Sequence, residues 1–375
     1  MKRKKVIVLY RVMQQWRAPI FEKLSSNEQL DLAVWHGPDF KNSKLVSAKN
    51  KVNVKTRSLI SFKLTFNSTN GKVMMPFSPF LFFKLLFANP DVIISEGASN
   101  LANSIQGFVY AKLFRKKFIW WSLGKLKNRV YDIKRSRIDT LIQYIEKNSS
   151  AIIAYSSRGK EYFRSIGVPE ERIIVAVNVV DTERILSREV DRKTHYEEFH
   201  QLYDFIVLFV GALTKEKSID KLLRAQKFIE EKGLNIGLFI VGDGSYAAQL
   251  KDIANDLNLK KVTFWGNRVE DSYRFFSGSD LFVLPGLGGL AISEAMCYGL
   301  PVISSIGDGC EIDLVTERNG IIDEEMDPQT LANNIQTFFE NKKRTEEFGR
   351  TSKYLIEEKY NTQNYIKRIT DAIEL

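Results

Sequence analysis

Short apolar runs alternate with longer stretches of helical spacing along most of the chain. KVIVLY, LDLAVW, DVIIS, KFIWWS, AIIAY and RIIVAV lie in the first half. Each is about 5–6 residues, too short for a stable core helix and suited to a strand buried on both faces. Between several of them, residues 100–114 and 133–147 repeat apolar positions at helical spacing. The rhythm loosens at 178–203, where DTERILSREVDRKTHYEEFHQLYD is charged and holds no strand; it reads as a linker with an entry helix. The alternation then returns with DFIVLFVG, a helix over about 219–231, IGLFIVG, a helix near 246–257, KVTFWG, DLFVLP, a helix over about 290–298, and PVISS. Helices from 328 onward close the chain. Strands and helices in this order predict an α/β protein of two doubly wound, parallel-sheet domains.

Composition narrows the picture. With 44% apolar and 27% charged residues over 375 positions, the chain can bury full cores and is not a disordered segment. Two cysteines and three histidines exclude a disulfide scaffold and argue against a Cys- or His-based metal centre. No window offers about 20 uninterrupted apolar residues, and VIVLY is too short for the apolar core of a signal peptide, so the expectation is a cytoplasmic protein. Charge is unevenly spread: residues 1–180 carry 31 Lys and Arg against 12 Asp and Glu, a formal +19, and 181–375 carry 24 against 33, or −9. One half alone is therefore suited to a polyanion such as an anionic lipid surface or a phosphorylated substrate. No nucleic-acid-binding motif accompanies the charge. The aromatic stretch PFSPFLFFKLLF at 76–87 reads as a core helix, with Phe80, Phe83 and Phe87 as the residues that would touch a membrane surface.

Candidate chemistry collects at strand ends, where open α/β sheets bind ligands. After DFIVLF comes VGALTKEKSID, where Gly211 permits a tight turn and Lys217 precedes a helix; by composition alone Lys215 is equally plausible as a phosphate contact. VGDG at 241–244 and WGN at 265–267 read first as structural punctuation. The third end is the most informative, LPGLGGLAISEAMCYGLPVISS. Gly286, Gly288 and Gly289 leave little side-chain bulk before a helix whose free N–H groups suit a diphosphate. Glu294 follows one turn in, placed either to stabilise the helix start or to accept bonds from a ribose diol.

These segments resemble retaining glycosyltransferases of the GT-B fold, family 4. QQWRAPIFEKLS, AYSSRGKEYFRSIGVPEERIIVAVNVVDT, VGALTKEKSIDKLL and LPGLGGLAISEAMCYGLPVI carry the resemblance, which covers most of the chain. It implies two Rossmann-like domains facing a cleft: an acceptor domain at 1–180, a linker at 181–203, a nucleotide-sugar domain at 204–360, and a last helix at 361–375 returning to the first domain. It implies that Lys217 meets the donor diphosphate, that Gly211, Gly286, Gly288, Gly289 and Leu290 line the donor, that Glu294 holds the ribose, and that Asn267 and Arg268 lie near the base. Arg17 and Glu96, with Lys125 and Lys127, would face the acceptor. No metal or cofactor is implied beyond the nucleotide sugar of the UDP or GDP class, and the acceptor implied is a glycan or lipid-linked glycan, met by a peripheral protein on the inner face of the plasma membrane. Two positions depart from the family. Ala212 stands where many members carry arginine, and Gly286 stands where they carry the first of two glutamates, the one that touches the transferred sugar. The departures keep two further readings open, an epimerase or hydrolase of the same architecture and a non-catalytic sugar-nucleotide-binding subunit.

Overall fold

Parallel strands buried on both faces must be apolar, and the central runs of this protein, such as VIVLY, FIVLF and LFVL, are. The structure, a computed structural model, describes residues 3–39, 52–68, 71–125 and 133–375. The chain divides into two compact units, one formed by Met1–Val177 with Thr362–Leu375, the other by Asn178–Asn361.

In the first unit the strands are β1 (Lys4–Tyr10), β2 (Leu30–His36), β3 (Lys55–Ser58), β4 (Phe62–Ser68), β5 (Gly71–Phe77), β6 (Val92–Ser95), β7 (Lys117–Ser122), β8 (Ala151–Ala154) and β9 (Ile173–Val175). Seven form a parallel sheet in the order β3-β2-β1-β6-β7-β8-β9, while β4 and β5 pair as an antiparallel hairpin. The order reverses between β1 and β6. Ile7, Leu9, Ile93, Phe118 and Trp120 fill the core between this sheet and the helices Leu101–Leu113 and Ser157–Ser165.

The stretch expected as a helix over 76–87 is divided. Pro76 and Phe77 end β5, and the helix is Leu81–Ala88. Leu81 and Leu85 are its buried face and Phe82 packs against the core, whereas Phe80, Phe83 and Phe87 are 56%, 59% and 91% exposed and are not core. The C-terminal helix Thr362–Glu374 lies in this unit. Lys4 and Lys117 donate to its last carbonyls, Ile373 and Glu374, where the helix dipole favours cations.

The second unit holds β10 (Phe205–Val210), β11 (Ile236–Val241), β12 (Val262–Gly266), β13 (Leu281–Leu284), β14 (Val302–Ser304) and β15 (Gly320–Ile322). All pair in parallel in the order β12-β11-β10-β13-β14-β15. The order reverses between β10 and β13, which meet at Val207↔Leu281 and Leu208↔Phe282. That reversal opens a crevice at the carboxyl ends of the two strands. Among the described residues, no helix is long and apolar enough to cross a membrane.

Residues 181–203, expected as a linker with an entry helix, form the helices Thr182–Leu186 and Arg192–His200 and belong to the second unit. Phe199 is the reason. Its ring packs 5.1 Å from Phe239 and 5.8 Å from Phe275, against Gly278, where any Cβ would collide with it. Asp280 then accepts from both His200 Nε2 and the Ile206 N–H, at 2.8 and 2.7 Å, and ties the helix to β10.

Candidate functional site

Three loops meet at the switch point of the second unit, following β10, β13 and β14. The first runs from Gly211 into a short 3-10 turn at Lys215–Lys217 and leaves it through Ser218 in the left-handed region. This turn separates the two lysines that sequence alone left equivalent. Lys215 is exposed, whereas Lys217 is half-buried and its Nζ occupies the space a Cβ on Gly288 would fill. The ammonium thus reaches from the β10 loop to the β13 loop. Desolvation lowers its pKa, opposed by the attraction of the Asp308, Glu311 and Glu216 carboxylates. Among the described residues it makes no ion pair.

The second loop, Pro285 to Gly289, enters the helix Leu290–Cys297. Leu287 N–H donates to the Glu216 carbonyl at 2.9 Å, which fastens this loop to the lysine turn. Gly288 has φ +132°, a conformation other residues rarely adopt. The first helical bond runs from Ile292 N–H to the Gly289 carbonyl. The N–H groups of Gly288, Gly289, Leu290 and Ala291 therefore have no acceptor among the described residues, as expected of a helix start. They sit beside Lys217, and together these donors form a cradle for an anion with several oxygens.

Gly286 is buried and packed against the lysine turn. A Cβ there would meet the Glu216 carbonyl and lie 2.7 Å from Lys217 Cα. The departure at 286 is thus a packing requirement in this chain. VGDG serves the same end: the Gly242 Cα sits against the Gly211 carbonyl, and Leu213 N–H donates to the Asp243 carbonyl at 3.0 Å.

Glu294 is partly exposed. Its Oε1 accepts from Ser272 Oγ at 3.3 Å, and Arg184 attracts it from the helix Thr182–Leu186. Burial dominates and pushes its pKa up to about 6. Next to Ser272 opens a cavity of about 580 Å³ lined by Asn267, Arg268, Asp271, Tyr273 and Arg188. The Arg188 guanidinium stacks 3.6 Å above the Tyr273 ring, and Arg268 pairs with Asp271 at 3.4 Å. Glu294, Asn267 and Arg268 are therefore brought to one side of the crevice.

The third loop, after β14, was not singled out from the sequence. It reads SIGDGCE and carries two carboxylates in a glycine-rich turn, a signal that the strand-end argument could have used. Glu311 is fully buried and accepts from Gly309 N–H at 2.8 Å and Asp308 N–H at 3.3 Å. Burial, with repulsion from Asp308, raises its pKa to about 7. Arg184, Arg188 and Ser272 were missed as well, because they neighbour Glu294 only in space.

In the first unit the switch point joins Glu96 to the loop after β1. Glu96 Oε2 accepts from Arg11 N–H at 2.7 Å, and desolvation raises its pKa against the pull of Arg11. Arg17 departs from expectation. It is fully buried, its Nη1 donates to Tyr365 Oη at 2.6 Å, and its guanidinium lies 4.5–5.6 Å from the rings of Trp16, Trp121 and Tyr365. A cation enclosed this way anchors the C-terminal helix rather than meeting a ligand phosphate. Lys125 is exposed, and Lys127 lies outside the described residues.

Residues 191–372, most of the second unit and nearly all of the C-terminal helix, match the family Glycosyl transferases group 1. The chain is 24% identical to an uncharacterized glycosyltransferase of Methanocaldococcus jannaschii over 78% of its own length and 77% of that protein's. It is also 24% identical to the capsular polysaccharide biosynthesis glycosyltransferase CapM of Staphylococcus aureus, over 63% of this chain and 67% of CapM. The fold is shared with HepE of Anabaena, solved in complex with UDP: TM-score 0.77, 17% identity, 99% of both chains covered.

Proposed function

We propose that this protein is a retaining, metal-independent glycosyltransferase. It moves a hexose from a UDP- or GDP-sugar to a glycan or lipid-linked glycan during cell-surface polysaccharide synthesis. One observation carries the reading: a half-buried lysine that makes no ion pair among the described residues, laid beside N–H groups of a helix start that find no acceptor among them, at the sheet's switch point. The group 1 match, the UDP bound by HepE and the role in CapM's name support it.

In this reading the diphosphate lies on the N–H groups of Gly288, Gly289 and Leu290, with Lys217 against its oxygens and Gly211 leaving room beneath. Glu294 accepts the ribose hydroxyls, and Asn267 and Arg268 border the base. Transfer breaks the bond from the anomeric carbon to the phosphate oxygen and forms one to the acceptor oxygen on the same face. The bond's electrons pass to the diphosphate, which takes up the acceptor's proton. Negative charge therefore grows where Lys217 and the helix dipole already point, and rate is gained from preorganised donors. Glu96, in the first unit, accepts from an acceptor hydroxyl and orients it. The basic first half and the exposed Phe80, Phe83 and Phe87 hold the protein at an anionic membrane surface on the cytoplasmic side.

The test is to incubate the protein with a panel of nucleotide sugars, with and without membrane lipid extract and with EDTA throughout. Nucleoside diphosphate release that requires the extract and survives EDTA supports the reading. Release without acceptor would make the protein a hydrolase, and binding without turnover a partner subunit.

A further inference from the structure

The glycine at 286 raises the question of what holds the transferred sugar. A side chain there would run into the Glu216 carbonyl and displace the turn that carries Lys217. Across the same cradle, the loop after β14 brings a different carboxylate into place. Asp308 lies over Gly289, its Oδ1 and Oδ2 3.0 and 3.3 Å from where a Cβ on that glycine would be. Gly307 allows the approach, since a Cβ there would come within 2.9 Å of Leu287 Cα and 3.0 Å of Gly288 N. The Cys310 N–H donates to Oδ1 at 3.1 Å and fixes the carboxylate's orientation. The side chain is partly exposed, and the Cys310 thiol also donates to its carboxylate. Beneath it, the buried Glu311 pins the loop through the Gly309 and Asp308 N–H groups.

We infer that Asp308 is the sugar-specificity residue of this site, accepting hydrogen bonds from hydroxyls of the transferred sugar in place of a carboxylate at 286. The inference rests on the donor reading above. A carboxylate beside a diphosphate is repelled by it, and hydroxyl donors are what offset that repulsion. A nucleotide sugar brings such donors to the diphosphate's far end; a free nucleoside diphosphate brings none. Asp308 therefore acts in opposite directions on the two ligands. It weakens the bare diphosphate and strengthens the sugar ester, which a purely structural residue would not do.

The experiment titrates the full-length protein calorimetrically with UDP, UDP-glucose, UDP-galactose, UDP-N-acetylglucosamine, GDP and GDP-mannose. Wild type is compared with Asp308→Asn, whose amide oxygen can still accept from Cys310 N–H. For the nucleotide sugar that wild type binds, Asp308→Asn should lose about tenfold in affinity, the worth of one or two charge-assisted bonds. Affinity for the matching free diphosphate should rise about twofold or more. If Asp308→Asn melts early, Asp308→Ser serves in its place and the same opposed shifts are expected. Unchanged affinities, or shifts of the same sign for both ligands, overturn the role of Asp308 and leave the donor reading standing. Failure of wild type to bind any of the six overturns the donor reading and this inference with it.

Discussion

Two lysines two positions apart in one turn give the sharpest residue-level contrast. Lys215 is exposed and Lys217 fills the space above Gly288. Lys217→Ala should slow transfer by about 10²-fold or more, because the lost charge faces a leaving group that gains negative charge in the transition state. Lys215→Ala should change turnover little. Steady-state kinetics of both variants decide it, and equal losses would show that the ammonium at 217 has no special place. Gly286 makes a second residue-level case. Its packing leaves no room for a methyl group against the Glu216 carbonyl, so Gly286→Ala should weaken free diphosphate and nucleotide sugar together by displacing the Lys217 turn. Calorimetric titration that showed loss for the sugar ester alone would contradict this packing account. Arg17 shows the limit of reading residues singly. Its position after β1 suggests a ligand contact, and the aromatic cage that encloses it comes from Trp121 and Tyr365, distant in sequence. Arg17→Ala should destabilise the first unit by about 2 kcal/mol or more, read from its denaturant midpoint, through loss of a desolvated cation–π cluster.

At the scale of elements, the helix Leu290–Cys297 does two jobs, offering N–H groups at its start and Glu294 one turn on. Burial holds Glu294 near a pKa of about 6, so its neutral form is populated at mildly acid pH. Ribose hydroxyls bind best to the carboxylate, so affinity for a nucleotide sugar should fall as pH drops through about 6. A sugar-capped diphosphate has no ionisation of its own in that range, unlike a terminal phosphate. Glu294→Gln should bind more weakly at pH 8 and lose the part of the pH dependence centred near 6, leaving that of Glu311 near 7; a variant that kept the wild-type profile would assign the titration elsewhere. The sequence showed this helix and its glycine entry plainly, because strand, glycines and amphipathic helix follow one another within 20 residues. It showed β10, β11, β13 and β14 for the same reason, each being an uninterrupted apolar run. β3, reading KTRS, is exposed at all four positions and has no apolar signal to find. An entry helix was legible before β10, but the packing of Arg192–His200 was not, because Phe199 is its buried anchor among charged neighbours. Asp308 and Glu311 follow β14 in a loop whose importance comes from lying beside Gly288 and Gly289, a relation between strands that periodicity does not encode.

Across the whole molecule, charge separates the basic first half from the acidic second. Exposed Phe80, Phe83 and Phe87 lie in the basic half, and each Lys or Arg near an anionic surface adds on the order of 1 kcal/mol. Sedimentation at low salt should therefore be greater with anionic than with neutral vesicles, weaken as salt is raised, and drop on Phe83→Ser with Phe87→Ser. Equal sedimentation with both vesicle types would favour a soluble acceptor. The central claim is that a nucleotide-sugar donor sits at the switch point of the second unit, on N–H groups that have no acceptor among the described residues. Hydrogen–deuterium exchange of the full chain, with and without UDP and with and without GDP at saturating concentration, tests it most directly. One of the two diphosphates should slow exchange in peptides covering 213–218 and 286–294, leaving 5–17 and 92–100 unchanged. Protection confined to the first unit, or none at 286–294 with either diphosphate, would contradict the account.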